Sequence, residues 1–75
     1  MDNKQLTAIN PELPREIREY RHYRKQLSRC CYHANRSAYL FNQRASSQIS
    51  RSIREMLSTQ TKETKQAVRE LMQLI

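Results

Sequence analysis

The sequence predicts an all-α fold, on three observations. None of the 75 residues is glycine, which removes the usual source of positive φ for hairpins, bulges and phosphate-cradling loops. No proline follows Pro14. From Ile17 onward, apolar residues recur at alternating intervals of three and four, the spacing of one helix face. The expected architecture is a two-helix antiparallel hairpin with a long first helix, about 14–45, and a second at 50–75. Together they form a single helical domain over 13–75, preceded by a flexible N-terminal arm at 1–12.

The arm is expected because Leu6 and Ile9 are the only large aliphatic residues in a polar stretch. Asn10-Pro11-Glu12-Leu13-Pro14 is helix-start chemistry, since proline is tolerated where its missing N–H would lack a partner. Glu16 and Glu19 then lie near the positive end of the helix dipole. The first stripe runs through Ile17, Tyr20, Tyr23, Leu27, Cys31, Ala34, Ala38, Phe41 and Ala45, with Arg24 as its one misfit. Past Ala45 that register meets Gln48 and Ser52, and a new one takes over at Ile53, Leu57 and Leu71. The break is expected within Ser46–Ser52, where four serines lower helix propensity and Ser52-Ile53-Arg54-Glu55 reads as a capping box. A second candidate break, Ser58-Thr59-Gln60-Thr61, would leave a short third helix.

A chain of this length buries only about 60% of its unfolded surface, so enzyme function is not expected. Two such helices carry more apolar stripe than one hairpin covers, which predicts a homodimer and a helical bundle. The expected interface is Ile17, Tyr20, Leu27, Cys31, Ala34, Ala38, Phe41, Ile53, Leu57 and Leu71.

Charge carries the functional expectation. Fourteen Lys and Arg face seven Asp and Glu, and no acid occurs between Tyr20 and Arg54. That window holds Arg21, Arg24, Lys25, Arg29, Arg36, Arg44, Arg51 and Arg54, together with every aromatic residue. Such a block repels itself unless an anionic partner arrives, and its Arg bias favours bidentate phosphate recognition. Arg18, Lys25, Arg29 and Arg36 are expected to form one row opposite the stripe, with His22, Tyr32, His33 and Gln43 beside it. The resulting expectation is a small nucleic-acid-binding regulator, of the kind that phages and plasmids encode. Its contacts would come from Arg18, Arg21, His22, Lys25, Arg29, Tyr32, His33, Arg36, Tyr39, Arg44, Arg51 and Arg54. The alternative is a regulator that docks on an acidic surface of a larger enzyme through Tyr39, Leu40 and Phe41.

Ser47-Gln48-Ile49-Ser50-Arg51-Ser52-Ile53 resembles the start of a recognition helix in helix-turn-helix regulators. The turn glycine that such motifs usually carry would fall near Gln43 and is missing. Cys30, Cys31, His22 and His33 do not complete a tetrahedral metal site, so neither metal nor cofactor is expected. The adjacent cysteines give no disulfide framework, and the longest apolar run, Ala38–Phe41, is too short to cross a membrane. A cytoplasmic protein without a membrane partner is expected.

Overall fold

The computed structural model describes residues 1–74, which form four helices: α1 (Asn3–Ile9), α2 (Leu13–Arg29), α3 (Arg36–Met56) and α4 (Lys62–Gln73). Among the described residues there is no strand. The all-α expectation holds, whereas four helices replace the two-helix hairpin.

The segment expected as a flexible arm is helical. Asp2 accepts from the Gln5 backbone N–H at 2.9 Å, and the Gln5 side chain accepts from the Asp2 N–H at 3.0 Å, a reciprocal capping box. A seven-residue helix does not persist alone; Leu6, 5% exposed, holds this one against the core. The α2 start falls where the proline chemistry places it, with Pro14 in the first turn and Glu16 near the dipole's positive end.

The expected first helix of about 14–45 is cut at Cys30–Asn35. The cut is made without glycine or proline: Cys30 takes an extended backbone and ends α2, and the Asn35 side chain accepts from the Ala38 N–H at 3.0 Å, capping α3. The expected break at Ser46–Ser52 is absent, and α3 runs through it. Ser46 is buried and its hydroxyl donates to the Gln43 carbonyl at 3.0 Å, a local bond compatible with a continuous helix. The Ser58–Thr61 alternative is where the chain does turn. There Thr61 caps α4 by accepting from the Thr64 N–H at 3.3 Å.

α2 and α3 lie antiparallel. The faces between them read Leu13, Ile17, Tyr20, Arg24 and Leu27 on α2, and Asn42, Ser46, Ile49, Ile53 and Met56 on α3, both at intervals of four and three. α4 folds back over one end of the pair. Leu6, Leu13, Ile17, Ile53, Leu57 and Val68 form the buried core, with Ile9, Tyr20, Ile49, Met56, Leu71 and Met72 packed around it.

This core consumes much of the expected dimer interface. Ile17, Ile53 and Leu57 are buried within one chain, and Tyr20 and Leu71 pack against them. Cys31 and Ala34 sit exposed in the α2–α3 turn, Phe41 is 62% exposed, and Leu27 and Ala38 are half-buried. The apolar stripe continued in the sequence past the point where the helix that would carry it had ended.

The far half of the α2–α3 pair has no such core. Asn42 lies there, 8% exposed, donating to the Ala38 carbonyl at 2.9 Å and to Cys30 Sγ at 3.5 Å. Edge-on Tyr23–Phe41 rings, 6.0 Å between centroids, add a partly exposed contact. One end of a body 41 Å long is therefore held by apolar packing, the other by polar and aromatic contacts.

Candidate nucleic-acid interface

The break at Cys30–Asn35 dismantles the expected four-cation row. Arg18, Lys25 and Arg29 remain on one face of α2, but Arg36 opens α3 and belongs to a different helix. In place of the row, the fold distributes cations among three clefts.

One of about 240 Å³ is lined by Arg18, Arg21, His22, Lys25 and Leu74. A second, about 200 Å³, lies between α2 and α3 and is lined by Tyr20, Arg24, Ser46, Ser47, Ser50, Arg51 and Arg54. A third of about 440 Å³, between α3 and α4, brings Lys65 and Arg69 beside Ser50 and Arg54. No acidic side chain lines any of the three. Among the described residues, Arg15 is the only Lys or Arg within 4.0 Å of a side-chain carboxylate, and its partners, Glu12, Glu16 and Glu19, line none of the three clefts.

Individual side chains divide by what they touch. Arg21 serves the fold, because its Nε donates at 2.8 Å to the Leu74 carbonyl and ties the end of α4 to α2. Arg24 half-buries its side chain, and its Nε is sealed from solvent without a hydrogen-bond partner. Arg51 and Arg54 are exposed at the mouth of the same cleft. The HTH-like string Ser47–Ile53 lies in the interior of α3, not at a helix start, so the helix-turn-helix resemblance has no counterpart in the fold.

A second cluster forms at the tip of the pair. Tyr32 packs edge-on against Tyr39 with centroids 5.1 Å apart and against His33 at 5.5 Å, and the Arg36 guanidinium lies 5.9 Å from the Tyr32 ring centre. Tyr32 is 39% exposed, so part of this aromatic group faces solvent. Arg29 ends α2 nearby, whereas Arg44 borders a separate groove of about 400 Å³ lined by Ser37, Leu40, Phe41, Arg44, Ala45 and Gln48.

The expected contact set thus splits. Arg18, Arg21, His22 and Lys25 line the cleft beside Leu74; Arg51 and Arg54 line the α2–α3 cleft; Tyr32, His33, Arg36 and Tyr39 form the tip, with Arg29 at the end of α2 nearby; and Arg44 stands apart. Sequence reasoning missed Lys65 and Arg69, which lie outside the acid-free window, and counted Arg24 among the window's cations but left it out of the contact set as a misfit in the apolar stripe. Among the described residues, no three His, Cys, Asp or Glu side chains are grouped to share a metal ion, and no helix is long and apolar enough to cross a membrane. No protein-family model matches the chain, and comparison with curated proteins and with solved structures likewise returned no match.

Proposed function

We propose that this protein is a small non-catalytic regulator that binds nucleic acid through the phosphate backbone. The observation that carries the reading is the convergence of Arg18, Arg21, Arg24, Lys25, Arg51, Arg54, Lys65 and Arg69 on clefts with no acidic lining residue. A face built only for solubility mixes signs, because opposite charges at i,i+4 support the helix that carries them. The tip supports the same reading with flat side chains suited to stacking on unpaired bases.

Fluorescence anisotropy of labelled RNA and DNA oligonucleotides across a salt series tests it. With half of the eight cations neutralising a phosphate, log affinity falls against log salt with a slope of about −3 to −4 for a duplex and about −3 for a single strand. Arg18→Glu and Lys25→Glu, both exposed, each lower the steepness by about one. Lys62→Glu, away from the three clefts, serves as the control. Affinity indifferent to salt refutes the reading.

Phe41 favours a second reading. Its 62% exposure beside Leu40 and Ala45 leaves an apolar groove in an otherwise polar region, suited to docking on a larger protein or pairing with another copy. Self-association would use this face, since Ile17, Ile53 and Leu57 belong to the core of one chain. A monomer by light scattering at micromolar concentration excludes the homodimer. A larger-protein interaction lost in Leu40→Asp, with oligonucleotide binding intact, assigns the groove to a protein partner.

A further inference from the structure

We propose that the cleft between α2 and α3 is a specific site for a phosphate dianion, held by Arg24, Arg51 and Arg54 with the hydroxyls of Ser47 and Ser50. The site deepens the nucleic-acid reading where the dianion is the end of a strand, but its chemistry stands independently of that reading.

Arg24 occupies a seam position where a packed helix pair ordinarily places an apolar side chain. Its Nε is sealed from solvent with no acceptor, and no carboxylate lies within 4.0 Å of the guanidinium among the described residues. That nitrogen has therefore lost hydration without gaining an acceptor, and the guanidinium has gained no counter-ion, a situation that an anion in the adjoining cleft relieves. Arg51 and Arg54 add two further cations to the same cleft.

Serine supplies the neutral donors. Ser46 is committed to the Gln43 carbonyl, whereas Ser47 and Ser50 are placed along the opening. Three guanidinium groups exceed what one phosphodiester or carboxylate balances. They match a phosphomonoester or free phosphate, which carries about −1.5 to −2 near neutral pH and three oxygens for charge-assisted hydrogen bonds. The cleft volume of about 200 Å³ has room for one such group.

The test is an NMR titration of the whole chain with inorganic phosphate, following the Arg24 side chain and the Ser47 and Ser50 amides, with chloride at matched ionic strength as the control. Saturable shifts at these positions with a half-point at or below about 5 mM are expected. Arg51→Gln with Arg54→Gln should raise the half-point about tenfold. These residues are exposed, so the pair of changes leaves the fold intact, and a circular dichroism spectrum checks this. Arg24→Gln is the second variant and should abolish saturation.

Paired oligonucleotides with 5′-phosphate and 5′-hydroxyl ends separate the sources of the dianion. A preference of at least about fivefold for the phosphorylated strand, lost in Arg51→Gln/Arg54→Gln, identifies a strand terminus. Saturation by inorganic phosphate without that preference identifies a small phosphate compound and also supports the site. Linear, chloride-like shifts overturn it, even when oligonucleotides bind with the expected salt slope. Saturation by phosphate with no oligonucleotide binding leaves the cleft standing and removes the nucleic-acid reading.

Discussion

Ile53→Ala separates a core built within one chain from one built between copies. Ile53 is 0% exposed, enclosed by a cluster that includes Leu13, Ile17, Leu57 and Val68 from the same chain. Truncating a fully buried Ile to Ala removes its transfer free energy and leaves a cavity, for a loss of about 2–5 kcal/mol. Among the described residues only six hydrophobic ones are buried, so little neighbouring core exists to collapse into the space, and about 3 kcal/mol is the central expectation. Domains of this length have a total stability of about 4–11 kcal/mol. The substitution should therefore lower Tm by about 12–24 °C. Circular dichroism melts over a hundredfold range of protein concentration provide the assay. The chain-internal core requires a large loss with a midpoint independent of concentration. A loss below about 1 kcal/mol, or a midpoint that climbs with concentration, would show that Ile53 is buried at an interface between copies.

Two further substitutions examine the places where the structure departs from the sequence pattern. Asp2→Ala removes the carboxylate acceptor of the Gln5 N–H and should cost about 1 kcal/mol of local stability, so amides in Asn3–Ile9 exchange several-fold faster while those of α3 do not change. Equal acceleration throughout the chain would mean that α1 does not open separately. Phe41→Ser, despite its place in the predicted stripe, should change urea-unfolding stability by less than about 1 kcal/mol, because the ring is 62% exposed and keeps only an edge contact with Tyr23. A loss of about 3 kcal/mol would place the ring in a core.

Helix was legible from the missing glycine and from apolar spacing, and the α2 start from Pro14. Helix ends were less legible. The turn after Arg29 contains Cys, Tyr, His and Asn, which merely weaken a helix, and Ala, which favours one. The restart at α3 uses Asn35, whose side chain folds back onto the Ala38 N–H, a signal that was available as an asparagine before Arg36-Ser37-Ala38. Ala34, Ala38 and Phe41 happened to extend the α2 register through this turn, which concealed it. The Asp2–Gln5 capping box was likewise written in the sequence, but a seven-residue helix needs Leu6 in a tertiary core to persist, and local pattern does not report that contact.

The polar half of the helix pair explains both the misplaced break and the overlooked cleft. The α3 seam has Asn42 and Ser46 at positions where apolar residues mark a heptad, so a search for apolar periodicity loses the register just where Arg24 interrupts it on α2. Read one helix at a time, the serines weaken α3 and the arginine spoils α2. Read across the pair, small Ser46, Ser47 and Ser50 leave the space beside Arg24 that a larger aliphatic seam would fill. Two local conflicts thus have one tertiary solution, and conflicts between local preference and fold concentrate where function displaces packing. The acid-free charge window pointed toward an anionic partner, but it did not rank its cations. Only the seam distinguishes Arg24, whose charge is partly withdrawn from water, from Arg44 or Arg51, whose charges water still screens.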